Sequence, residues 1–230
     1  MPSDTPRPRH AVVTGASSGI GEAIARRLLA EGWQVTGLSR GAPAITDQNF
    51  AHRPADLADP ASLAAAIDGL SATALVHAAG LMGAQPLGTL DHARGAMMWQ
   101  VHVQAAALLA DHLVPGMADG GRIVLLGSRT ANGATNRSHY AASKSALTGL
   151  SRSWAAELAP RGITVNLVSP AATDTPMLRD PARAHSVPKL PPIGRLIRPE
   201  EVAATVGFLL SPEAAAITGQ NIVICGGSSL

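Results

Sequence analysis

Tyr140 and Lys144 stand in the run Tyr140-Ala141-Ala142-Ser143-Lys144, ahead of an apolar-periodic stretch. On a helix this spacing projects both side chains from one face. A phenol is a poor acid near neutral pH, with a pKa of about 10. A neighbouring ammonium stabilises the phenolate and draws that value down. Such a tyrosine can give a proton to a carbonyl oxygen or take one from an alcohol. The same spacing also occurs where an exposed Tyr and a snorkelling Lys merely solvate a helix. The surrounding chain decides between the two.

A second cluster is the turn Thr14-Gly15-Ala16-Ser17-Ser18-Gly19-Ile20-Gly21. It follows a short β-branched run, His10 to Thr14, and opens a helical pattern with Ile24, Leu28 and Leu29 on one face. Glycines there allow a tight turn and let backbone N–H groups approach a pyrophosphate. The helix N-terminus adds its positive dipole end. The spacing is Gly-x3-Gly-x-Gly rather than Gly-x-Gly-x2-Gly. A purely structural turn is the competing reading, and the strand-turn-helix context favours the phosphate cradle.

These residues need a frame to hold them. Strands are expected at His10–Thr14, Gln34–Leu38, Asn49–Arg53, Ala74–His77, Gly121–Leu126, Ile163–Val168 and Asn221–Ile224. Helices are expected after the glycine turn up to Gly32, from Pro60 through Ile67 and Leu70, over about Asp91–Pro115, through Tyr140 to about Leu158, and over Glu200–Leu210. Strands that read as continuous apolar runs, alternating with helices, indicate a parallel sheet buried on both faces. The fold class is α/β: a single-domain, Rossmann-type, doubly wound sheet of about seven strands over residues 10–230, with helices on both faces. Residues 1–9 read as a flexible leader and 176–199 as a substrate lid.

Composition excludes several function classes. At 230 residues, 46% hydrophobic, the chain can bury one substantial core. Aromatics are only 3%, so that core must be built from Ala, Val, Leu and Ile. Cys225 is the single cysteine, so there is no internal disulfide, which fits a reducing compartment. No stretch is apolar for the length of a membrane span, and the first ten residues lack the apolar run of a secretory signal. Net charge is only +2 with Lys and Arg scattered, which gives no footprint for nucleic acid. A cytoplasmic protein acting on a small molecule, with no metal, is expected.

Taken in order, Thr14-Gly15-x3-Gly19-x-Gly21, Ala79-Gly80, Ser128, Tyr140-x3-Lys144 and Pro170 resemble the short-chain dehydrogenase/reductase superfamily, in its shorter classical branch. The resemblance spans His10 to Gly227. It implies that Ser128 hydrogen-bonds the substrate oxygen, that Tyr140 is the general acid/base, and that Lys144 binds the nicotinamide ribose and lowers the tyrosine pKa. A turn serine is the plainer reading of Ser128, and Ser138 is its rival, read as a helix N-cap. The resemblance further implies that Gly15, Ser17, Ser18, Gly19, Ile20 and Gly21 hold the pyrophosphate. Asp56 and Leu57 would meet the adenine, although Asp56 could instead cap the following helix. Ala79 and Gly80 would let the cofactor approach, and Pro170, Thr173 and Thr175 would hold the carboxamide, with Ala171 where a Gly is usual.

Where NAD enzymes carry an acid after the second strand, this chain has Ser39 followed by Arg40. A guanidinium can pair with a 2′-phosphate, so NADP(H) is favoured and NAD(H) is the alternative. Arg40 as a solvated loop charge is the competing reading. Two departures from the family stand out. His77-Ala78-Ala79-Gly80 replaces the usual Asn-Asn-Ala-Gly, and His77 reads as a satisfied strand-end histidine rather than a catalytic one. His102 stands where an Asn usually completes a proton relay, and its imidazole is expected to substitute there as a catalytic residue; a helix histidine that merely fills space is the plainer reading. In the lid, Arg179, Arg183 and Lys189 read as solvating charges rather than an anion site.

The function expected is an NADP(H)-dependent oxidoreductase moving a hydride between nicotinamide and a ketone or secondary alcohol. The alternative is a low-turnover sensor or regulatory protein on the same fold. The resemblance implies a homo-oligomer, dimer or tetramer, built through the helices carrying His102 and Tyr140.

Overall fold

A computed structural model of the chain describes residues 9–183, 185–186 and 189–230, with Ala182 described in its backbone only. All but Arg9 of the expected leader, and Val187 of the expected lid, lie outside the described residues. Seven strands form one sheet in the order β3-β2-β1-β4-β5-β6-β7, and every neighbouring pair is parallel. The strands are β1 (His10–Thr14), β2 (Gln34–Ser39), β3 (Phe50–Pro54), β4 (Ala74–His77), β5 (Arg122–Leu126), β6 (Thr164–Pro170) and β7 (Asn221–Ile224). Between them run α1 (Gly19–Ala30), α2 (Pro60–Ile67), α3 (His92–Trp99), α4 (Ala105–Leu113), α5 (Ser138–Leu158) and α6 (Pro199–Leu210).

Two apolar cores sandwich the sheet. On one side α1 and α6 bury Ile24, Leu28, Val202, Val206 and Leu209 against Val13 and Val76. On the other, α2, α4 and α5 bury Leu63, Ile67, Leu109, Leu113 and Leu147 against Val12, Leu75 and Ile123. Side chains of one strand alternate between the two cores, as Val12 and Val13 show, so residues 11–13 in the middle of β1 are all apolar. Each aliphatic side chain so buried contributes about 1.5–3 kcal/mol.

Strand order reverses direction between β1 and β4, because the chain first winds outward to β3 and then returns. That switch point opens a crevice at the carboxyl ends of the strands, where α/β folds bind ligands. The loops after β1, β4, β5 and β6 all empty into it.

The long helix expected over Asp91–Pro115 is not uniform. A π turn, Gln100–Gln104, separates α3 from α4, and a 3₁₀ turn, Val114–Gly116, closes it. α2 ends at Ile67 rather than Leu70, and Gly69 follows in the left-handed region with φ +63°. Ser138 is the first helical residue of α5, not its cap. Arg137 takes the cap position, and its carbonyl already accepts from Ala141 N–H.

Candidate active site

The glycine turn after β1 is compact for a steric reason. A Cβ on Gly21 would run into the Gly15 carbonyl, and one on Gly15, at φ +68°, would meet Ala79 at 2.9 Å. Ser18 occupies the N-cap of α1 but its hydroxyl makes no cap bond, so the first-turn N–H groups remain available. Gly15, Ser17, Ser18, Gly19, Ile20 and Gly21 line a cleft of about 950 Å³. Its walls continue through Ser39, Arg40, Asp56, Leu57, Ala79, Gly80 and Thr175. A cradle of free N–H groups at a helix N-terminus fits a pyrophosphate. Asp56 does not cap α2: its carboxylate accepts from Ala58 N–H, and Asp59 caps the helix by accepting from Ala61 N–H. Ser39 is buried, and its hydroxyl donates to the Gly41 carbonyl. Arg40 is exposed, and among the described residues its guanidinium makes no hydrogen bond or ion pair.

A second chamber, of about 640 Å³, adjoins the cleft through Ile20, Gly80, Thr175 and Met177, which line both. Ser128, Tyr140, Lys144, His102, Pro170 and Thr173 line it. Ser128 is positioned by the extended turn after β5, where its oxygen accepts from Thr130 N–H at 3.2 Å. Lys144 is buried and donates from Nζ to the Leu126 carbonyl at 2.7 Å. Burial pushes its ammonium down to a pKa of about 7. Burial pushes the Tyr140 phenol up, against the Ser128 hydroxyl and the Arg183 and Arg137 charges, which draw it down. In the chain by itself burial is the larger effect on the phenol.

His102 is fully buried inside the π turn. Its Nε2 accepts from Leu81 N–H at 3.1 Å, which puts the ring proton on Nδ1. Nδ1 then donates to Ser143 Oγ at 2.9 Å, and Ser143 donates to the Tyr140 carbonyl at 2.9 Å. Burial, then Lys144 and His77, holds the imidazole pKa well below 6.5. Both nitrogens are occupied and the ring is neutral, so the geometry does not fit the proton-carrying role expected of it. It fits a brace between the loop after β4 and helix α5. His77 is likewise complete. Nε2 donates to the Val101 carbonyl at 3.0 Å, and Nδ1 accepts from the Thr14 hydroxyl at 3.1 Å. Thr14 in turn accepts from Ala79 N–H at 2.9 Å.

Ser138 is exposed and lines a separate pocket with His139 and Arg94, so it stands apart from Ser128. Thr175 donates to the Thr173 carbonyl at 3.3 Å, and Thr173 to the Ala171 carbonyl at 3.0 Å, which sets the loop after β6. In segment 176–199, Arg179 is exposed and pairs with Asp174 at 3.5 Å. Arg183 and Lys189 instead line the chamber, contrary to the expectation of purely solvating charges. Arg129 and Arg137 line it too, and sequence reasoning missed both. A signal existed: residues 120–156 contain no Asp or Glu to balance their arginines.

Among the described residues, no helix is long and apolar enough to cross a membrane and no cluster of His, Cys, Asp and Glu could hold a metal. A family model described as Enoyl-(Acyl carrier protein) reductase matches residues 15–229. The chain is 36% identical over 234 residues to 3-oxoacyl-[acyl-carrier-protein] reductase FabG of Escherichia coli, covering 94% of this chain and 96% of that protein. It is 37% identical over 238 residues to cis-4-hydroxycyclohexanecarboxylate dehydrogenase of Sinomonas cyclohexanicum, covering 95% and 96%. Among solved structures, a blue fluorescent protein from a metagenomic library in complex with NADPH superposes with a TM-score of 0.85 at 30% identity, covering 96% of this chain and 98% of that one. A short chain dehydrogenase/reductase family protein does so with a TM-score of 0.88 at 34% identity, covering 96% and 97%.

Proposed function

The chain belongs to the short-chain dehydrogenase/reductase superfamily of NAD(P)-dependent oxidoreductases, and we propose that it uses NADP(H) to interconvert a ketone and a secondary alcohol with Tyr140 as general acid/base. One observation carries this reading: Ser128, Tyr140 and Lys144 line a single chamber that opens onto the glycine cleft through Gly80 and Thr175.

The bound nicotinamide supplies or accepts the hydride. The chain's residues handle everything else. Gly15 to Gly21 hold the pyrophosphate at the α1 N-terminus. Asp56 and Leu57 meet the adenine, and Arg40 meets the 2′-phosphate. Ala79 and Gly80 leave room beside the ring, and Pro170, Thr173 and Thr175 fix its carboxamide. Ser128 holds the substrate oxygen beside the phenol. In reduction, Tyr140 gives its proton to that oxygen; in oxidation, it takes the proton back. Lys144, buried against the same chamber, stabilises the phenolate when it forms and holds the nicotinamide ribose. His102 braces this arrangement. The segment 176–199 covers the substrate and excludes water.

A regulatory role is not favoured: of the two usual Asn side chains the first is replaced by His77, which is fully hydrogen-bonded, and the second by Ala78. A homodimer or homotetramer in the cytoplasm, acting on a small carbonyl or alcohol, completes the proposal. The test is NADPH consumption against a panel of ketones, with Tyr140→Phe beside the wild type. Losing the phenol should lower kcat by about 10²–10⁴-fold and leave NADPH affinity within about threefold. Wild-type turnover by Tyr140→Phe would overturn the assignment.

A further inference from the structure

Among the described residues, five cationic side chains line the reaction chamber, Arg129, Arg137, Lys144, Arg183 and Lys189, and no Asp or Glu does. Lys144 is accounted for by the proposed chemistry and by the Leu126 carbonyl. The arginines are not. None lines the cofactor cleft, so cofactor phosphates seated at the glycine turn would not neutralise them. Among the described residues none of the three is in an ion pair within 4 Å, and each leaves its Nε buried without a hydrogen-bond partner. Arg129 is anchored at its other end, donating from Nη1 to the Ser228 carbonyl at 3.1 Å. Asp180, which lies 3.8 Å from Arg94, acts on Arg183 from outside the chamber lining.

Half-burying like charges together is unfavourable. Arg137 feels it: burial, then the Arg183 and Arg129 charges, pushes its pKa down, although a guanidinium stays protonated. A buried donor without a partner is also costly. Both penalties disappear if the ligand brings the missing charge, because a guanidinium fork matches a carboxylate or phosphate.

Resting on the proposed role of Tyr140, we infer that the chamber's substrate carries a compact anionic group, a carboxylate or a phosphate ester, close to the reacting carbon and held between Arg137 and Arg183, with Arg129 behind. The two anchors come from different elements. Arg137 caps α5, whereas Arg183 sits in the 3₁₀ turn Pro181–Arg183 of the covering segment. An anion gripped by both ties that segment to the body of the protein. Asn136 already starts this connection by donating to the His185 carbonyl at 3.0 Å. The group must lie near the carbonyl, because the same two guanidiniums act on the Tyr140 phenol.

The test compares kcat/KM with NADPH for 3-oxobutanoate, dihydroxyacetone phosphate and the neutral methyl 3-oxobutanoate, at low salt. At least one anion should exceed the neutral ester by about tenfold or more, the worth of one charge-assisted hydrogen bond. Which anion wins assigns the carboxylate or the phosphate. Arg137→Met and Arg183→Met should each cut the anion-to-ester ratio about tenfold, and Arg137→Lys should restore part of it. Equal use of ester and anions by the wild type, or variants that leave the ratio unchanged, overturns the inference while the proposed activity stands. If no ketone is reduced, the activity proposal fails instead. The anion site is then read by calorimetry of butanoate, methyl phosphate and butanamide with the NADP⁺-loaded protein. Binding of an anion but not of the amide, lost in Arg137→Met, supports the site; no such preference overturns it.

Discussion

His77 donates from Nε2 to the Val101 carbonyl at 3.0 Å, joining the end of β4 to the π turn of the long helix. The Thr14 hydroxyl completes the ring at Nδ1, so one buried imidazole ties three elements that face the cofactor cleft and the chamber. As an acceptor Nδ1 belongs to a neutral ring, and burial, followed by Lys144, pushes its pKa down to about 3 from 6.5. Below pH 6.5 the unfolded chain takes up a proton that the folded chain refuses. Stability is thus fully present above pH 6.5 and falls as pH drops toward about 3, by up to about 1.4 kcal/mol per pH unit for this group. His77→Asn removes the titrating group. Urea unfolding at pH 7 and pH 5 should show the wild type losing more stability than the variant; equal losses would remove His77 from the account.

Lys144 gives the opposite end of the pH scale its own signature. Its folded pKa of about 7 lies below the ordinary lysine value of 10.5. Between those values the unfolded chain holds the proton and the folded chain does not. The stability of the protein without cofactor should therefore rise from pH 7 to pH 9.5, at up to about 1.4 kcal/mol per unit from this group. In Lys144→Met that rise disappears. Denaturation curves for both proteins across the range decide it, and a difference that stays flat with pH contradicts the assignment.

Both of these groups sit at places where the sequence was informative about position and silent about environment. The bounds of β1, β4 and β7 are legible because each is a short apolar run closed by a glycine or polar turn. Tyr140, Lys144 and Ser128 share a chamber because the fold puts the loop after β5 beside the first turns of α5. The π turn is not legible. Nothing in Gln100–Gln104 breaks a helical pattern, and the partner of Val101 lies 24 residues away, on β4. The same applies to His102, whose two partners, Leu81 and Ser143, come from distant segments. Arg137 was hidden for another reason: a charge just ahead of a helix ordinarily faces water, whereas this one lines the chamber with Arg183.

His102 separates two accounts of proton movement. A relay needs a ring that exchanges protons, whereas this one is neutral and engaged at both nitrogens. An Asn in its place can still accept with Oδ1 and donate with Nδ2. His102→Asn should keep kcat within about threefold, while His102→Ala, which strands the Leu81 N–H and Ser143, should lower it by about tenfold or more. The midpoints of the pH–rate profile should not move in either variant. A midpoint that shifts when the imidazole is removed would return His102 to the relay.

Arg40 is the position proposed to favour NADP(H) over NAD(H). Ser39 stands where a carboxylate would repel a 2′-phosphate, and its hydroxyl is turned inward to Gly41. Arg40 follows at the rim of the cleft, exposed and with no partner among the described residues. A charge-assisted contact in that half-solvated place is worth about 1.4 kcal/mol after screening, or about tenfold in affinity. Arg40→Ala should therefore raise KM for NADPH about tenfold and leave KM for NADH within about twofold. Because the contact is to the cofactor's far end, kcat with saturating NADPH should change little. Salt gives an independent handle: raising ionic strength should weaken NADPH binding in the wild type more than in Arg40→Ala. If the substitution moves both cofactors equally, the guanidinium is a solvated loop charge and the preference must come from elsewhere in the cleft.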